Sequence, residues 1–464
     1  MNVRNLHSVH FLGIGGIGMS ALARWFNHLG IRVSGYDKTP SPLTEKLEEE
    51  GMEISFEDAI ENVPSQVKDF KEKTLIVWTP AMPKDSEQLN FFINEGFELR
   101  KRAAVLGMIT ADLPTVAVAG THGKTTTSSM VAHLLKHGGK NIAAFLGGIT
   151  QNYQSNLILH DESGQDVTVV VEADEFDRSF LHLHPNVAIL TSVDPDHLDI
   201  YGDDQVMKAG FSDFIDLIAP NGKLYIQSKA FENLAKGDYK ALSVTKYGID
   251  KGAIHASNVK ALPGYFSFDF VNEAEEIRNL ELRMPGYHNV ENVLPAIAIA
   301  LDLGIDKEAI REGLKTFRGV KRRFETHVQK EDRVYIDDYA HHPEEIRAFL
   351  NSVKAMYPTK RLTAVFQPHL FTRTRDFAEG FSDSLSLADE VVLLDIYPAR
   401  EQPIEGVTAG MLLANIRSGM KSLQTKESLL TYLNVSKPEV LVTIGAGDID
   451  RLVGPLAKWM QDEV

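Results

Sequence analysis

Short β-branched runs alternate with longer amphipathic stretches along almost the whole chain, and that alternation confines it to an α/β fold built on parallel sheets. Strands are expected at Val9–Ile14, Ile31–Gly35, Leu75–Thr79, Val116–Ala119, Val167–Val171 and Val187–Val193. Four more follow at Val334–Asp337, Leu362–Phe366, Glu390–Asp395 and Val440–Ile444. Helical patterns fall between them, as at Met19–Leu29, Thr125–Lys136 and Pro343–Met356. With 464 residues the chain is too long for one hydrophobic core. Breaks near residues 105–115 and at Phe317-Arg318-Gly319, the second after the helical-looking Val290–Leu303 and Lys307–Thr316, divide it into three expected domains, 1–107, 108–317 and 318–464. Residues 222–285 read differently, as a small antiparallel sheet or a long excursion.

Ligands of open parallel sheets bind at the carboxyl ends of strands. The chemically suggestive clusters stand there repeatedly: Gly13–Gly18, Gly120–Thr127, Glu172–Asp177, Asp194–Asp199, Asp337–His342, Gln367–Arg375 and Gly445–Asp448. A net charge of −16 argues against nucleic acid and anionic membrane as partners. Polyanionic small molecules would need local positive sites made of backbone N–H groups, single Lys or Arg residues and metal ions. The chain has no cysteine, which removes disulfides, thiolate catalysis and Cys-type zinc sites. No apolar run approaches a membrane span and the N-terminus lacks an apolar signal core, so a cytoplasmic location is expected.

Two turns carry phosphate chemistry. Gly13-Ile14-Gly15-Gly16-Ile17-Gly18 follows a strand and opens a helix, with Asp37 ending the next strand. Glycines there let backbone N–H groups and a helix N-terminus meet a pyrophosphate; the bland alternative is a turn that only packs strand against helix. Gly120-Thr121-His122-Gly123-Lys124-Thr125-Thr126-Thr127 is sharper, following the strand Thr115–Ala119 and leading into a helix. Lys124 is placed to neutralise the β- and γ-phosphates of ATP or GTP, and Thr125 to bind Mg²⁺. Val118 stands where the common loop has its first glycine.

Glu172 ends the very apolar strand Val167–Val171, a good place for a magnesium ligand, although most acidic runs are merely solvated. His197, in Ser192–Asp199, is either structural or a nitrogen ligand for a second metal or its water shell. His288 and Asn292 open a helix, where they either cap it or, for Asn292, meet an adenine edge. The run Lys321-Arg322-Arg323 lies at a domain break, and Asp337–Pro343 and Gln367–Arg373 follow successive strands of the last domain with His and Arg suited to a small carboxylate.

The strings His10–Ser20, Gly120–Thr127, Glu172–Asp177, Tyr287–Asn292, Asp337–Pro343 and Gln367–Arg373 resemble those of the Mur ligases, in order and across essentially the whole chain. The resemblance implies an N-terminal Rossmann-like UDP-binding domain, a central P-loop ATPase-type α/β domain with a mostly parallel sheet, and a C-terminal Rossmann-like domain. It implies ATP-dependent joining of L-alanine to the lactyl carboxylate of UDP-N-acetylmuramate through an acyl phosphate, by a monomer or homodimer using two Mg²⁺ ions. Gly13, Gly15, Gly16, Gly18, Asp37, Thr79 and Ala81 would hold the UDP-sugar. ATP would lie on Gly120, Thr121, His122, Gly123, Lys124, Thr125 and Thr126, with His288 and Asn292 facing adenine and Arg323, Asp337 and His341 gripping it from the last domain. Thr125, Glu172 and His197 would hold metal. Tyr339, His369 and Arg373 would position alanine, with Lys124, Glu172, His197, His369 and Arg373 as the catalytic set. Either His197 or His369 would take the amine proton. Leu370 departs from the family, which often has arginine there. The alternatives are a sister ligase that adds a tripeptide, a nicotinamide oxidoreductase suggested by the first glycine turn alone, and a nucleotide-switched binding protein.

Overall fold

The computed structural model describes residues 6–160, 167–194, 204–234, 242–399 and 401–462. The protein is α/β, with three domains and mostly parallel sheets. By the density of its contacts the chain divides into two compact units, Met1–Ile254 with Val293–Gly313, and His255–Asn292 with Leu314–Val464.

The first unit holds two sheets. Strands β1 (Ser8–Leu12), β2 (Arg32–Tyr36), β3 (Glu53–Ser55), β4 (Thr74–Trp78) and β5 (Glu98–Lys101) are all parallel, in the order β3-β2-β1-β4-β5. Every residue of β1 is buried, as a strand flanked on both edges and both faces requires. Strand order reverses at β1, so the turn that follows it opens into the crevice where such sheets take ligands. Helix α1 (Ile17–His28) begins directly after that turn, two residues earlier than its apolar pattern suggests.

The central strands of this unit are β6 (Thr115–Ala119), β7 (Ile142–Thr150), β8 (Ser155–His160), β9 (Thr168–Ala173), β10 (Val187–Leu190), β11 (Lys223–Gln227) and β12 (Ser243–Ile249). Their order is β12-β11-β10-β6-β9-β7-β8, parallel except for β8, which folds back on β7 as a hairpin. Helix α2 (Lys124–His137) springs from the loop after β6. One apolar core, including Phe26 and Trp25 of α1, Phe145 of β7 and Val171 of β9, runs through both sheets of this unit.

Residues 222–285 divide: the first part supplies the parallel strands β11 and β12, and the rest, in the second unit, is the antiparallel sheet. Strands β13 (Ile254–Leu262), β14 (Tyr265–Val271) and β15 (Glu276–Leu282) form a meander interrupted by bulges. The last sheet has β16 (Glu325–Gln329), β17 (Val334–Asp338), β18 (Leu362–Phe366), β19 (Glu390–Leu393), β20 (Met420–Leu423) and β21 (Val440–Ile444), ordered β16-β17-β21-β18-β19-β20 and antiparallel only at β16. Helix α3 (Pro343–Met356) starts with proline in its first turn, and His342 and Glu345 close a capping box around its start.

The first sheet contains a buried polar thread. His10 of β1 pairs through Nδ1 with Ser34 Oγ at 2.8 Å and through Nε2 with Gln88 Oε1 at 3.1 Å. Burial holds the imidazole pKa down at about 4, against a smaller opposing pull from Gln88. An unfolded chain therefore takes up a proton near pH 6.5 that the folded one refuses until about pH 4. Stability from this ring is complete above pH 6.5 and drains away as pH falls towards 4, by at most about 3 kcal/mol. Urea unfolding at pH 7.5 and 5.0 is expected to show that loss, and His10→Gln to reduce it; equal loss in both proteins would refute the assignment.

Candidate active site

The turn after β1 uses glycine where close approach demands it. Gly13 has φ of +90°, and a Cβ there would lie 2.7 Å from Thr79 Cγ2. Asp37 accepts the Gly15 N–H at 2.8 Å, so its carboxylate props the turn from the neighbouring strand end. Thr79 and Ala81 follow β4 on the same side of the sheet, joined by an Ala81 N–H to Thr79 Oγ1 contact of 3.4 Å. The guanidinium of Arg102 lies against Gly18, where an added Cβ would meet Nη1 at 2.6 Å. That brings a cation to the first turn of α1, a residue that sequence reasoning missed because nothing local marks it.

The loop after β6 is built by its neighbours. Gly120 has φ of +132°, and a Cβ there would stand 2.1 Å from Thr191 Oγ1. That hydroxyl donates to the carbonyls of Ala119 at 3.1 Å and His122 at 2.5 Å. Ser192 Oγ accepts the His122 N–H at 2.8 Å and pairs with Thr121 Oγ1 at 2.9 Å. Gly123, with φ of +82°, caps α2, and Lys124, Thr125 and Thr126 form its first turn.

Lys124 Nζ donates to the Gly120 carbonyl at 2.7 Å and to Glu175, whose two oxygens lie at 2.9 and 2.7 Å. Burial pulls the ammonium pKa down, but Glu175, Asp174 and Glu172 together more than offset it, so Lys124 stays charged. Glu175 was not among the expected residues, although it stands in the acidic string that follows β9. Glu172 accepts from Thr125 Oγ1 at 3.0 Å, from Ser128 Oγ at 3.4 Å and from the Gly147 N–H at 2.6 Å. Burial nevertheless raises its pKa above the usual carboxylate range, against those donors and Lys124. A carboxylate and a threonine hydroxyl in contact are hard oxygen donors, and a divalent cation would supply the countercharge that Glu172 lacks, so the pair fits magnesium. His197 lies outside the described residues.

The second unit gathers the remaining expected residues. Arg323 and Arg322 place guanidinium carbons 5.0 and 5.4 Å from the centre of the Tyr339 ring. His341 meets the same ring edge-on at 5.4 Å and donates from Nδ1 to the Tyr339 carbonyl at 3.1 Å. Burial lowers the His341 pKa, with Arg373 and Arg323 pushing the same way against Glu345. His369 stacks on Tyr397 at 5.8 Å and is held at about 4, by burial first and then by His341 and Arg373. His288 is likewise held at about 4 by burial, with Arg323 and Glu345 as charged neighbours. Arg323, Tyr339, His341, His369, Arg373 and His288 therefore form one neighbourhood of low-proton-affinity imidazoles and fixed cations. Asn292 donates to Asn289 Oδ1 at 3.5 Å, while Asn289 secures the helix start by donating to the Pro285 carbonyl at 2.7 Å.

Asp337 stands differently from the others. It is fully buried, accepting from Arg322 Nε at 3.0 Å and Thr443 Oγ1 at 2.6 Å. Glu325, His327 and Asp337 bring possible ligand atoms within 4.8 Å of one another, but Arg322 already brings its charge to Asp337 and its N–H to Glu325 there. Leu370 has φ of +68° and ψ of 137°, a strained conformation for a branched residue. Its N–H is tied to the Tyr397 carbonyl at 2.9 Å.

Comparison with known proteins finds likeness along the length of the chain. The family description "Mur ligase family, catalytic domain" matches residues 8–113, "Mur ligase middle domain" matches 118–300, and "Mur ligase, glutamate ligase domain" matches 322–447. A UDP-N-acetylmuramate–L-alanine ligase of Flavobacterium psychrophilum is 49% identical over 463 residues, covering 100% of both chains. The ligase of the same name from Cytophaga hutchinsonii is 45% identical, covering 98% of this chain and 97% of its own. Among solved structures, the UDP-N-acetylmuramate-alanine ligase of Thermotoga maritima superimposes with a TM-score of 0.79 at 28% identity, over 98% of this chain and 99% of that one. With a charged lysine in the loop, a carboxylate on the adjacent threonine and likeness along the full length, the chain belongs to the Mur ligase family.

Proposed function

We infer that this protein joins L-alanine to the lactyl carboxylate of UDP-N-acetylmuramate at the expense of ATP, a step in peptidoglycan precursor synthesis. The observation that carries the reading is the Lys124–Thr125–Glu172 arrangement in a chain 49% identical, end to end, to a protein of that name. The glycine turn Gly13–Gly18 takes the pyrophosphate of the UDP-sugar, with Asp37 bracing it and Thr79 and Ala81 alongside. The loop from Gly120 to Thr126 takes the ATP phosphates.

In the first step a lactyl carboxylate oxygen attacks the γ-phosphorus, and the bond to the β,γ-bridging oxygen breaks to release ADP. Like charges converge there, and Lys124 stabilises the oxygens on which charge accumulates. Thr125 and Glu172 are the residues that would hold Mg²⁺, which when bound supplies charge screening and Lewis acidity. The neutral amine of alanine then attacks the acyl carbon, the bond to phosphate breaks, and phosphate leaves. His369 and His197 are the two candidates for the base that receives the amine proton; His369 is neutral and able to accept, at a proton affinity that burial lowers. Tyr339 and Arg373 are assigned to hold the amino acid, and Arg323, His341, His288 and Asn292 to the nucleotide. Asp337 serves through Arg322, which it fixes.

A cytoplasmic setting suits these substrates, and among the described residues no helix is long and apolar enough to cross a membrane. We assign the active species as a monomer or homodimer. Phosphate release from ATP is expected to require UDP-N-acetylmuramate and L-alanine together, with glycine, L-serine and the stem tripeptide much poorer. Strong turnover with the tripeptide, or release that ignores the sugar nucleotide, would refute the reading.

A further inference from the structure

We propose that Asn156 is a positioning residue that sets the distance between the two phosphate sites, an inference resting on the ligase reading above. Asn156 stands on β8, wholly buried, and spends both ends of its amide on α1. Its Nδ2 donates to the Ile17 carbonyl and, at 3.0 Å, to Ser20 Oγ. Its Oδ1 accepts from Arg24 Nη1 at 2.6 Å. Arg24, itself buried, delivers its Nε to both oxygens of Glu50 at 2.9 Å.

Ile17 and Ser20 form the first turn of α1, immediately after the glycines assigned to the pyrophosphate. The other end of the same hairpin touches the chemistry. Strand β7 pairs with β8 at Phe145–Leu157 and again, past a register shift, at Thr150–Ser155. Within that shift the Gly147 N–H donates to Glu172 Oε1 at 2.6 Å, and a Cβ on Gly147 would stand 2.6 Å from Glu172 Oε2. The hairpin is thus a strut, fastened to the sugar-nucleotide turn by Asn156 and to the metal carboxylate by Gly147.

If Asn156 only filled space, an apolar side chain would serve as well, and the buried amide would gain nothing over it. Its three polar contacts instead fix the axial position of α1 against β8, where packing alone permits sliding. The reaction is sensitive to that coordinate. A carboxylate carried by the UDP-sugar must reach a γ-phosphorus beside Lys124 and Glu172, and a displacement of about 1 Å costs on the order of 10²-fold in rate.

The test uses full-length Asn156→Asp, which keeps the volume and the acceptor for Arg24 but loses both donors, and Asn156→Ala. With UDP-N-acetylmuramate, ATP and L-alanine, kcat is expected to fall on the order of 10²-fold. Calorimetric Kd values for the sugar nucleotide and for ATP, measured separately, are expected to stay within about threefold of the wild type. Each variant is assayed below its own melting temperature, so a folding defect cannot imitate the loss. Wild-type kcat in either folded variant would overturn the proposal, as would sugar-nucleotide binding weakened in proportion to kcat. Failure of the wild type to turn over would instead refute the ligase reading, since the variants are scored only relative to it.

Discussion

Lys124→Ala is expected to abolish ligation, with kcat down on the order of 10³-fold, while UDP-N-acetylmuramate still binds. The ammonium is the charged side chain that the loop itself contributes, and it is held ready by the Gly120 carbonyl and by Glu175. Removing it leaves Glu175, fully enclosed, without the cation that offsets its burial. That second effect separates this variant from a simple loss of substrate contact. Lys124→Ala is expected to lower stability, and Lys124→Ala with Glu175→Gln to recover stability without recovering activity. Calorimetric binding of the sugar nucleotide should be unchanged within about twofold, because its turn lies beyond contact with the lysine. A variant that ligates at a normal rate would overturn the nucleotide assignment outright.

Glu172→Gln has the next largest expected effect. The amide oxygen can still accept the Gly147 N–H, while the NH₂ that replaces Oε2 donates to Thr125 Oγ1, whose hydroxyl reverses its role, so the local contacts survive in altered sense. What disappears is a negative charge that burial already makes costly, so thermal stability is expected to hold or rise. The Mg²⁺ concentration for half-maximal phosphate release is expected to climb on the order of 10²-fold, with kcat falling alongside. The combination is the signature. Loss of activity together with lower stability and an unchanged magnesium requirement would mean that Glu172 is a structural acid.

The sequence was informative where physics acts locally. Buried parallel strands such as Leu362–Phe366 and Val440–Ile444 are continuous apolar runs, and both appear within the expected limits. The loop before α2 is legible because a glycine, a lysine and a threonine must stand in fixed order to meet phosphate. Edge strands escaped notice for the converse reason. Glu53–Ser55, Glu98–Lys101 and Met420–Leu423 are polar or exposed, so they carry no apolar signal and are defined by a neighbour's hydrogen bonds.

The wiring around the expected residues was not legible in the sequence. Glu175 lies 51 residues from Lys124, Ser192 lies 70 from the His122 it supports, and Asn156 lies 132 from Arg24. Nothing in the local pattern of either partner encodes such a pairing; the first two arise when strands β6, β9 and β10 come side by side, the third when β8 packs on α1. Asp337 shows the reverse, since its motif advertised a ligand group while its carboxylate lies wholly among protein partners, Arg322 and Thr443.

The lashing of the Gly120–Thr127 loop to the end of β10 bears on whether the motif is portable. Thr191 and Ser192 supply the hydroxyls that fix the carbonyl of His122 and the N–H beside it, and Thr191 also fills the space above Gly120. The eight residues from Gly120 to Thr127, grafted onto another strand–helix junction, would bring the charge but not the scaffold that shapes it. A transplant that works must carry the tip of the adjacent strand as well.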